Sequence, residues 1–237
     1  MSDQRSILDI QKFDQQSATL KNKEATLPEL AEITSTTIKQ NNARDLRIAA
    51  ETELSDVKRE LARAEGDVEQ IVTRIERDEK RLASGTGTPK ELEQTQHELG
   101  TLGVRRSELE EVELEIMMRV DGIKERIATL STEENELALV IADLNIRKEN
   151  ALAAIHTELE GIETDRKATT QSVSAELLAL YEKIRECCGI GAAALAGNQW
   201  KGCNVTMNTI EVQRISGLAE DEVVRCEECR CILVRDK

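Results

Sequence analysis

Aromatic side chains are almost absent from this chain, whose 237 residues include one Phe, one Tyr and one Trp. An ordinary globular enzyme takes much of its core area from such residues, so their scarcity argues against that class. Apolar residues make up 39% of the chain, mostly Leu, Ile, Val and Ala, and charged residues make up 33%. This mixture is typical of long helices and coiled coils.

Proline, histidine and long apolar runs are also scarce. With only two prolines, helices can extend over many residues. No run of about 18 apolar residues occurs, and the first residues, MSDQRSILDIQKFDQQ, lack a signal peptide's apolar core. We therefore expect a cytoplasmic protein with no membrane segment. In that reducing compartment, six cysteines indicate free thiols or metal ligands rather than disulfides.

The residue types of a catalytic centre are missing as well. The two histidines, His97 and His156, lie far apart in predicted helices, where each is best read as a solvated side chain. The sequence contains no glycine-rich phosphate loop and no Ser/His/Asp grouping, and its many glutamates fall on helix flanks. We therefore predict that the protein is not an enzyme.

Negative charge dominates, with a formal net charge of −14 at pH 7. Such a chain repels polyanions unless its positive charges are gathered on one face. Acidic and basic residues nearly balance between residues 200 and 237, where only Arg225, Arg230 and Arg235 could form a small basic strip. Nucleic acid is therefore a possible but disfavoured partner.

Apolar residues in the first half recur at alternating steps of three and four, the pattern of a left-handed coiled-coil seam. Asp78 interrupts this series once. The series comprises Ala50, Leu54, Val57, Leu61, Ala64, Val68, Ile71, Ile75 and Leu82.

The segment SGTGTP, residues 84–89, cannot easily continue that helix, because it holds two glycines and Pro89 disfavours helical geometry at the residue before it. We predict a turn here. Thr88 and Glu91 then have the spacing of a capping box around a proline at the first helical position, which indicates the start of a second helix.

The second helix carries the same apolar period and is predicted to continue to about Ile184. Two such helices joined by a short turn should fold back on each other as an antiparallel hairpin, since the apolar edge of each helix would otherwise be exposed to water. Exposed heptad flanks make a dimer possible. The series comprises Leu92, Leu99, Leu102, Leu109, Ile116, Val120, Ile123, Ile127, Leu130, Leu137, Ile141, Leu144, Ile155, Leu159 and Ile162.

Two further boundaries follow from composition. The segment TLPE, residues 26–29, has capping-box spacing with Pro28 inside it, so the first arm should break or kink near 26–28. Beyond Ile184 glycines cluster, and short strands and turns are expected, with one turn of helix around residues 210–215. We therefore assign residues 1–185 to the hairpin and residues 186–237 to a small β domain. A domain of this size would normally need a disulfide or a bound metal to be stable.

The assembled features resemble a family of bacterial proteins in which a coiled-coil hairpin precedes a C-terminal C4-type zinc ribbon. These FlgZ-like proteins are described as possibly nucleic acid-binding, and the resemblance is to their actinobacterial form. It covers nearly the whole chain and implies a mainly α fold with a small zinc-ribbon-like β domain. The segments that carry it are LPELAEI, TPKELEQTQHEL, YEKIR, GCNVTM and DEVVRCEECRCILVR.

The resemblance also implies where metal ligands would stand. Cys226 and Cys229 fall on the second knuckle, and Cys203 falls on the second position of the first knuckle. Trp200 takes the place of the remaining ligand and cannot bind zinc, while Arg230 stands where the family usually has Gly.

Structural zinc is nearly always four-coordinate, so these three thiolates need a fourth donor. Cys231 is the nearest candidate, with Cys187, Cys188 or water as alternatives. The site could equally be empty, with Trp200 filling its space, or hold a disulfide between Cys226 and Cys229 or between Cys203 and one of them. We interpret Cys187 and Cys188, adjacent at a helix end, as small packing residues. Zinc is thus an uncertain cofactor, and no other is predicted.

Three non-enzymatic functions fit these features. A scaffold or adaptor would bind partner proteins through the acidic helices and through the ribbon's exposed backbone edges and Trp. The resemblance implies partners in transcription or secretion machinery. The alternatives are a nucleic-acid-associated regulator that acts through the zinc ribbon, and a structural rod that the ribbon merely terminates.

Overall fold

The computed structural model describes residues 2–196, 199–200, 202, 208–219 and 222–235. The described residues form long helices followed by a small sheet, which confirms the predicted fold class. The elements are α1 (Ser2–Ala25), α2 (Pro28–Ser84), α3 (Pro89–Thr170), α4 (Ala175–Cys188), β1 (Ala192–Ala196), β2 (Gln199–Trp200), α5 (Thr209–Ser216), β3 (Val224–Arg225) and β4 (Ile232–Arg235).

The chain divides into two compact units. The terminal unit combines residues 1–30 with residues 146–237, and the hairpin unit comprises residues 31–145.

In the hairpin unit, the apolar edges of α2 and α3 pack against each other. Ala50 and Val57 of α2 form a buried cluster with Val120 and Ile123 of α3. Because both helices carry their apolar residues at steps of three and four, this contact continues through the half-buried residues Leu54, Leu61, Ile116 and Ile127.

Charged pairs join α2 to α3 across this seam and fix an antiparallel register. The pairs are Arg47–Glu134 at 2.8 Å, Glu60–Arg119 at 2.9 Å, Glu53–Arg126, and Arg74–Glu98 at 3.7 Å.

The Arg47–Glu134 pair lies within the seam rather than on its flank. Arg47 precedes Ala50 by three residues, and Glu134 follows Leu130 by four, so both occupy positions of the apolar series. Their side chains are 24% and 23% exposed. The hydrogen bonds that Arg47 donates to Glu134 and Glu51 raise the pKa of Arg47. A polar layer of this kind specifies one register, because a shifted pairing would leave a charge against apolar side chains.

Polar residues also enter the seam near the end of the hairpin. Asp78, which interrupts the apolar series, is 7% exposed and lies 3.9 Å from Arg74 and 3.5 Å from Arg77. Thr95 of α3 is equally buried and donates its hydroxyl to the Glu91 carbonyl at 2.9 Å.

The turn between α2 and α3 contains the capping box that the sequence predicts. The backbone N–H of Thr88 donates to Glu91 Oε2 at 2.8 Å, and the N–H of Glu91 donates to Thr88 Oγ1 at 3.4 Å. The hydrogen bond from the Thr88 backbone lowers the pKa of Glu91. Gly85 and Gly87 adopt positive φ angles of 61° and 142° in this turn, a conformation that residues with a Cβ rarely adopt.

Helices α1 and α2 are separated at Thr26 and Leu27, directly before Pro28. Thr26 and Glu29 have the spacing of a capping box, but Thr26 does not cap α2. The Thr26 hydroxyl donates back to the Asn22 carbonyl at 2.8 Å, so it closes the end of α1 instead of capping α2.

The prediction that the second helix continues to about Ile184 is wrong. Helix α3 ends at Thr170, and a turn precedes α4. Hydroxyl groups explain the end, because they bond to the carbonyls of the last turn and compete with helix continuation. Thr170 Oγ1 donates to the Lys167 carbonyl at 2.7 Å, and Ser172 Oγ donates to the Thr169 carbonyl at 2.7 Å.

The four strands form one sheet in the order β2-β1-β4-β3. Strands β1 and β4 run parallel in the middle, with Ala192 opposite Ile232, while β2 and β3 are antiparallel edge strands. Helix α5 begins at Thr209, where Asn208 Oδ1 accepts a hydrogen bond from the Ile210 N–H at 3.2 Å.

The core of the terminal unit is built from both ends of the chain. Helix α1 contacts β1 and β4, and α4, α5 and the strands contribute the rest. Strand β4 is buried along Ile232–Val234, as expected for a central strand covered on both faces. The fully buried members include Ile7, Ile10, Tyr181, Ile215, Ile232, Leu233 and Val234.

We expect Arg47→Glu to destabilise the hairpin unit by about 1 kcal/mol or more, because it places a like charge beside Glu134 and Glu51. The double variant Arg47→Glu with Glu134→Arg should recover part of this loss. Urea unfolding of the single and double variants measures the coupling. Additive effects of the two substitutions would contradict a register role for the pair.

Candidate functional site

The two knuckle cysteines lie in a tight turn between β3 and β4. The N–H of Arg230 donates to the Cys226 carbonyl at 3.0 Å, and the N–H of Cys226 donates to the Cys231 carbonyl at 2.9 Å. The Arg225 side chain adds a bond from Nε to the Arg230 carbonyl at 3.1 Å. Cys226 is buried and Cys229 is half-buried. These hydrogen bonds close the turn from Cys226 to Cys231.

Arg230 adopts a left-handed backbone conformation, with φ of 63°. It stands where the family that the sequence resembles has Gly, and a Cβ in this conformation costs about 1 kcal/mol. The turn thus persists at a cost that Gly would avoid, held by the hydrogen bonds of its neighbours.

Cys231, the nearest candidate for a fourth ligand, is buried beside the turn, with its Sγ 3.6 Å from the Cys229 carbonyl. Its side chain is 2% exposed, and its Sγ donates to the Ile190 carbonyl at 3.0 Å. Burial raises the pKa of this thiol to about 12. Cys231 therefore serves as a buried donor to the loop that precedes β1.

The interpretation of Cys187 and Cys188 as packing residues is wrong. Both lie exposed in the last turn of α4, which ends at Gly189 in a left-handed conformation. A hydrogen bond with Cys187 is the main cause that raises the pKa of Cys188. Because both side chains are exposed, neither is packed in the core, although Cys188 lies near enough to Cys229 to interact with it electrostatically.

The structure describes only part of the predicted zinc site. Cys203 lies outside the described residues, and of Trp200 only the backbone is described, paired with Leu195 in the sheet. Across the described ranges, no three His, Cys, Asp or Glu side chains come together to hold a metal ion. The five described cysteines form no disulfide with one another. Cys226 and Cys229 are the two predicted ligands that the structure describes, and zinc binding by this chain stays a prediction.

A glutamine of α1 anchors the start of β1 to the helices. Gln11 is 4% exposed, and its Oε1 accepts hydrogen bonds from the backbone N–H of Gly191 at 2.7 Å and of Ala192 at 3.3 Å. The hydroxyl oxygen of Tyr181 lies 3.3 Å from the same oxygen. One side chain thus joins α1, α4 and the sheet.

Sequence reasoning missed Gln11, although a signal was available. Gln11 follows Ile7 and Ile10 at steps of four and one, so it lies on the same apolar face of the helix. A polar residue on such a face is predicted to be buried and hydrogen-bonded.

A charged network beside Gln11 joins α1, α3 and α4. Arg166 donates to Asp14 at 2.8 Å through Nε and to Glu182 at 2.5 Å through Nη2. Arg185 pairs with Glu182 at 2.9 Å, and the Tyr181 hydroxyl donates to Asp14 at 2.7 Å. The hydrogen bond to Asp14 raises the pKa of Arg166, and burial raises the pKa of Tyr181.

Two of the three arginines that could form a basic strip have structural partners. Arg235 donates through Nη1 to the carbonyls of Ile215 and Leu218, at 3.1 and 2.9 Å, and so closes the end of α5. Arg225 donates to the Arg230 carbonyl. Two of the three side chains of this strip therefore stabilise the domain through hydrogen bonds to its backbone.

Similarity to known proteins extends over nearly the whole chain. The family described as CT398-like coiled coil hairpin domain matches residues 10–189. An uncharacterized protein of Mycobacterium tuberculosis is 33% identical over 99% of this chain and 96% of its own length. No enzymatic family is indicated by these matches.

Two solved structures resemble the fold. A protein from Mycobacterium smegmatis has a TM-score of 0.83 at 28% identity, covering 98% of this chain and 97% of its own. CT398 from Chlamydia trachomatis has a TM-score of 0.68 with the same coverage of both chains. Its identity of 18% supports a shared fold alone.

We expect purified protein to contain less than one zinc ion per chain, because Trp200 stands at one of the four ligand positions and cannot bind zinc. Elemental analysis after purification without added metal measures this. Melting curves with and without EDTA should coincide. Stoichiometric zinc that is lost in Cys203→Ser but kept in Cys187→Ser would show that a complete site exists.

We expect Gly191→Ala to destabilise the terminal unit. The new Cβ would lie 2.4 Å from Cε2 and 2.5 Å from Cδ2 of Tyr181, which is fully buried. Overpacking of this kind costs about 2 kcal/mol in urea unfolding. The matched control is Gly161→Ala on α3, where a Cβ meets open space and should be neutral or stabilising by about 1 kcal/mol. Equal stabilities of the two variants would contradict the close packing at Gly191.

Proposed function

The chain belongs to the CT398-like coiled coil hairpin family, and from this we propose that it is a non-enzymatic scaffold that binds partner proteins. Its C-terminal domain is, in this proposal, a zinc-ribbon-like module of the FlgZ-like type with an incomplete ligand set. Binding would therefore rely on side chains and backbone edges, with no metal chemistry.

One observation on the outer surface of α3 carries the proposal. Leu114 and Met118 lie one helical turn apart and are 58% and 69% exposed. They stand in the acidic segment ELEEVELEIMMR, residues 108–119. Exposed apolar side chains on adjacent turns contribute nothing to the seam between α2 and α3, and they suit a protein interface.

The chemistry of this face suggests the kind of partner. Methionine adapts its shape to different apolar surfaces, and flanking glutamates favour positive charge on the partner. A basic amphipathic segment of another protein would satisfy both requirements. We refer to Leu114 and Met118 of α3, with the exposed glutamates Glu111 and Glu115 beside them, as the acidic-apolar face.

Nucleic-acid binding is the weaker alternative. The net charge of −14 opposes a polyanion, and Arg225 and Arg235 of the C-terminal domain already bind backbone carbonyls. Phosphate recognition requires clustered Lys and Arg side chains that are available to the ligand. No helix in the described part of the chain is long and apolar enough to cross a membrane.

We expect a photo-crosslinking amino acid at Met118, introduced in the native host, to capture a defined protein whose contact segment is basic. The same probe at Glu125 is the matched control, because this exposed residue lies one heptad further along α3. Mass spectrometry identifies the adducts. Leu114→Glu should lower the yield at position 118 severalfold, since it removes half of the apolar pair.

Identical adducts from positions 118 and 125, or yields unaffected by Leu114→Glu, would contradict a specific protein interface on this face. Adducts composed mainly of RNA or DNA would favour the alternative function. Retention of cooperative melting in Leu114→Glu shows that a reduced yield reflects lost binding rather than unfolding.

A further inference from the structure

A cleft of about 620 Å³ opens in the terminal unit where α1, α3 and α4 meet. This volume lies within the range of about 300–1,000 Å³ that small-molecule sites occupy. Part of its lining is apolar, from Ala18 of α1 and from Leu159 and Ile162 of α3. Neither the hairpin seam nor the cysteine knuckle uses this space.

The charged lining of the cleft is predominantly positive. Arg166 and Lys167 come from α3, Lys21 comes from α1 and Arg185 comes from α4, against Asp14 and Glu163 in the lining. Glu182 of α4 also binds both arginines, so the local surplus is one positive charge. The sign of this local charge is opposite to that of the whole chain, whose net charge is −14. A concave surface with a surplus of one charge raises the local concentration of the opposite ion.

The positive groups differ in how firmly they are already engaged. Arg166 and Arg185 bind Asp14 and Glu182 through Nε and Nη2, so within the described residues their Nη1 groups stay available. Because both arginines are fixed by these bonds, such donors would lose little freedom on binding a ligand.

The two lysines of the cleft are less constrained. Both are exposed, and neither has a carboxylate within ion-pair distance in the described part of the chain. Lys21 follows Ala18 by three residues on α1, so an ammonium group and a small apolar side chain lie on the same side of that helix.

We propose that this cleft binds a small organic carboxylate with an apolar chain. The carboxylate pairs with Lys21 and Lys167 and with the available arginine nitrogens, and the chain lies over Ala18, Leu159 and Ile162. The inference does not depend on the acidic-apolar face, which belongs to the hairpin unit.

Calorimetric titration of the full-length protein tests the proposal with three probes below their micelle concentrations. Decanoate should bind saturably with one site per chain. Acetate, which lacks the apolar chain, and decyltrimethylammonium, which reverses the charge, should bind at least roughly tenfold more weakly. Equal binding of decanoate and decyltrimethylammonium would overturn the proposal, as would the absence of saturable decanoate binding.

Variants place the site on the molecule. Lys21→Glu with Lys167→Glu should weaken decanoate binding roughly tenfold or more, because two attractive charges become repulsive. Ala18→Trp should weaken it by filling the cleft without a change of charge. Lys58→Glu, at an exposed lysine of α2 in the other unit, is the control and should bind as the unaltered protein does.

All the substituted side chains are exposed, so the variants should keep the melting midpoint of the unaltered protein. If Lys58→Glu loses as much affinity as the cleft variants, or if Ala18→Trp binds decanoate unchanged, the ligand is not in this cleft. Failure of these titrations leaves the crosslinking result at Met118 unaffected, so the two proposals stand or fall separately.

Discussion

The cover that α1 places over the C-terminal sheet is the contact on which the rest of this structure depends. Two of the four strands contain only two residues, and a sheet this small cannot bury enough apolar surface to persist alone. Ile7 and Ile10 supply the missing surface from the opposite end of the chain, and both are fully buried. Gln11 fixes the position of α1 relative to β1, because its side-chain oxygen accepts hydrogen bonds from the N–H groups at the start of that strand.

The same core also holds the turn between β3 and β4. Cys226 and Cys231 are buried within the same cluster as Tyr181 and Ile232, so packing fixes both ends of this segment. The left-handed Arg230 shows that the turn is sustained even where the residue type disfavours it.

Local signals allowed much of the fold to be predicted. The spacing of apolar residues predicted the coiled-coil helices, and the Thr88–Glu91 box forms as predicted because its atoms lie within one turn of each other. The end of α3 was missed because the apolar period continues past Thr170, whereas hydroxyl groups decide the outcome locally. The Gln11 contacts and the Arg166 network join residues more than 150 positions apart, and no periodic pattern encodes such pairs.

In the hairpin unit, the side of α3 that packs on α2 and the side that faces solvent are under different constraints. Toward α2, a substitution changes the packing of the seam or its polar layer at Arg47 and Glu134, so folding restricts those positions. On the outer side, the hairpin gains nothing from an apolar residue, because the side chain remains in water in the folded state as in the unfolded one. A single exposed Leu needs no explanation on any protein surface. Leu114 and Met118 differ because they form a pair on adjacent turns inside an acidic segment. Since the stability of the hairpin does not require that pair, both side chains remain available for the protein interface proposed above.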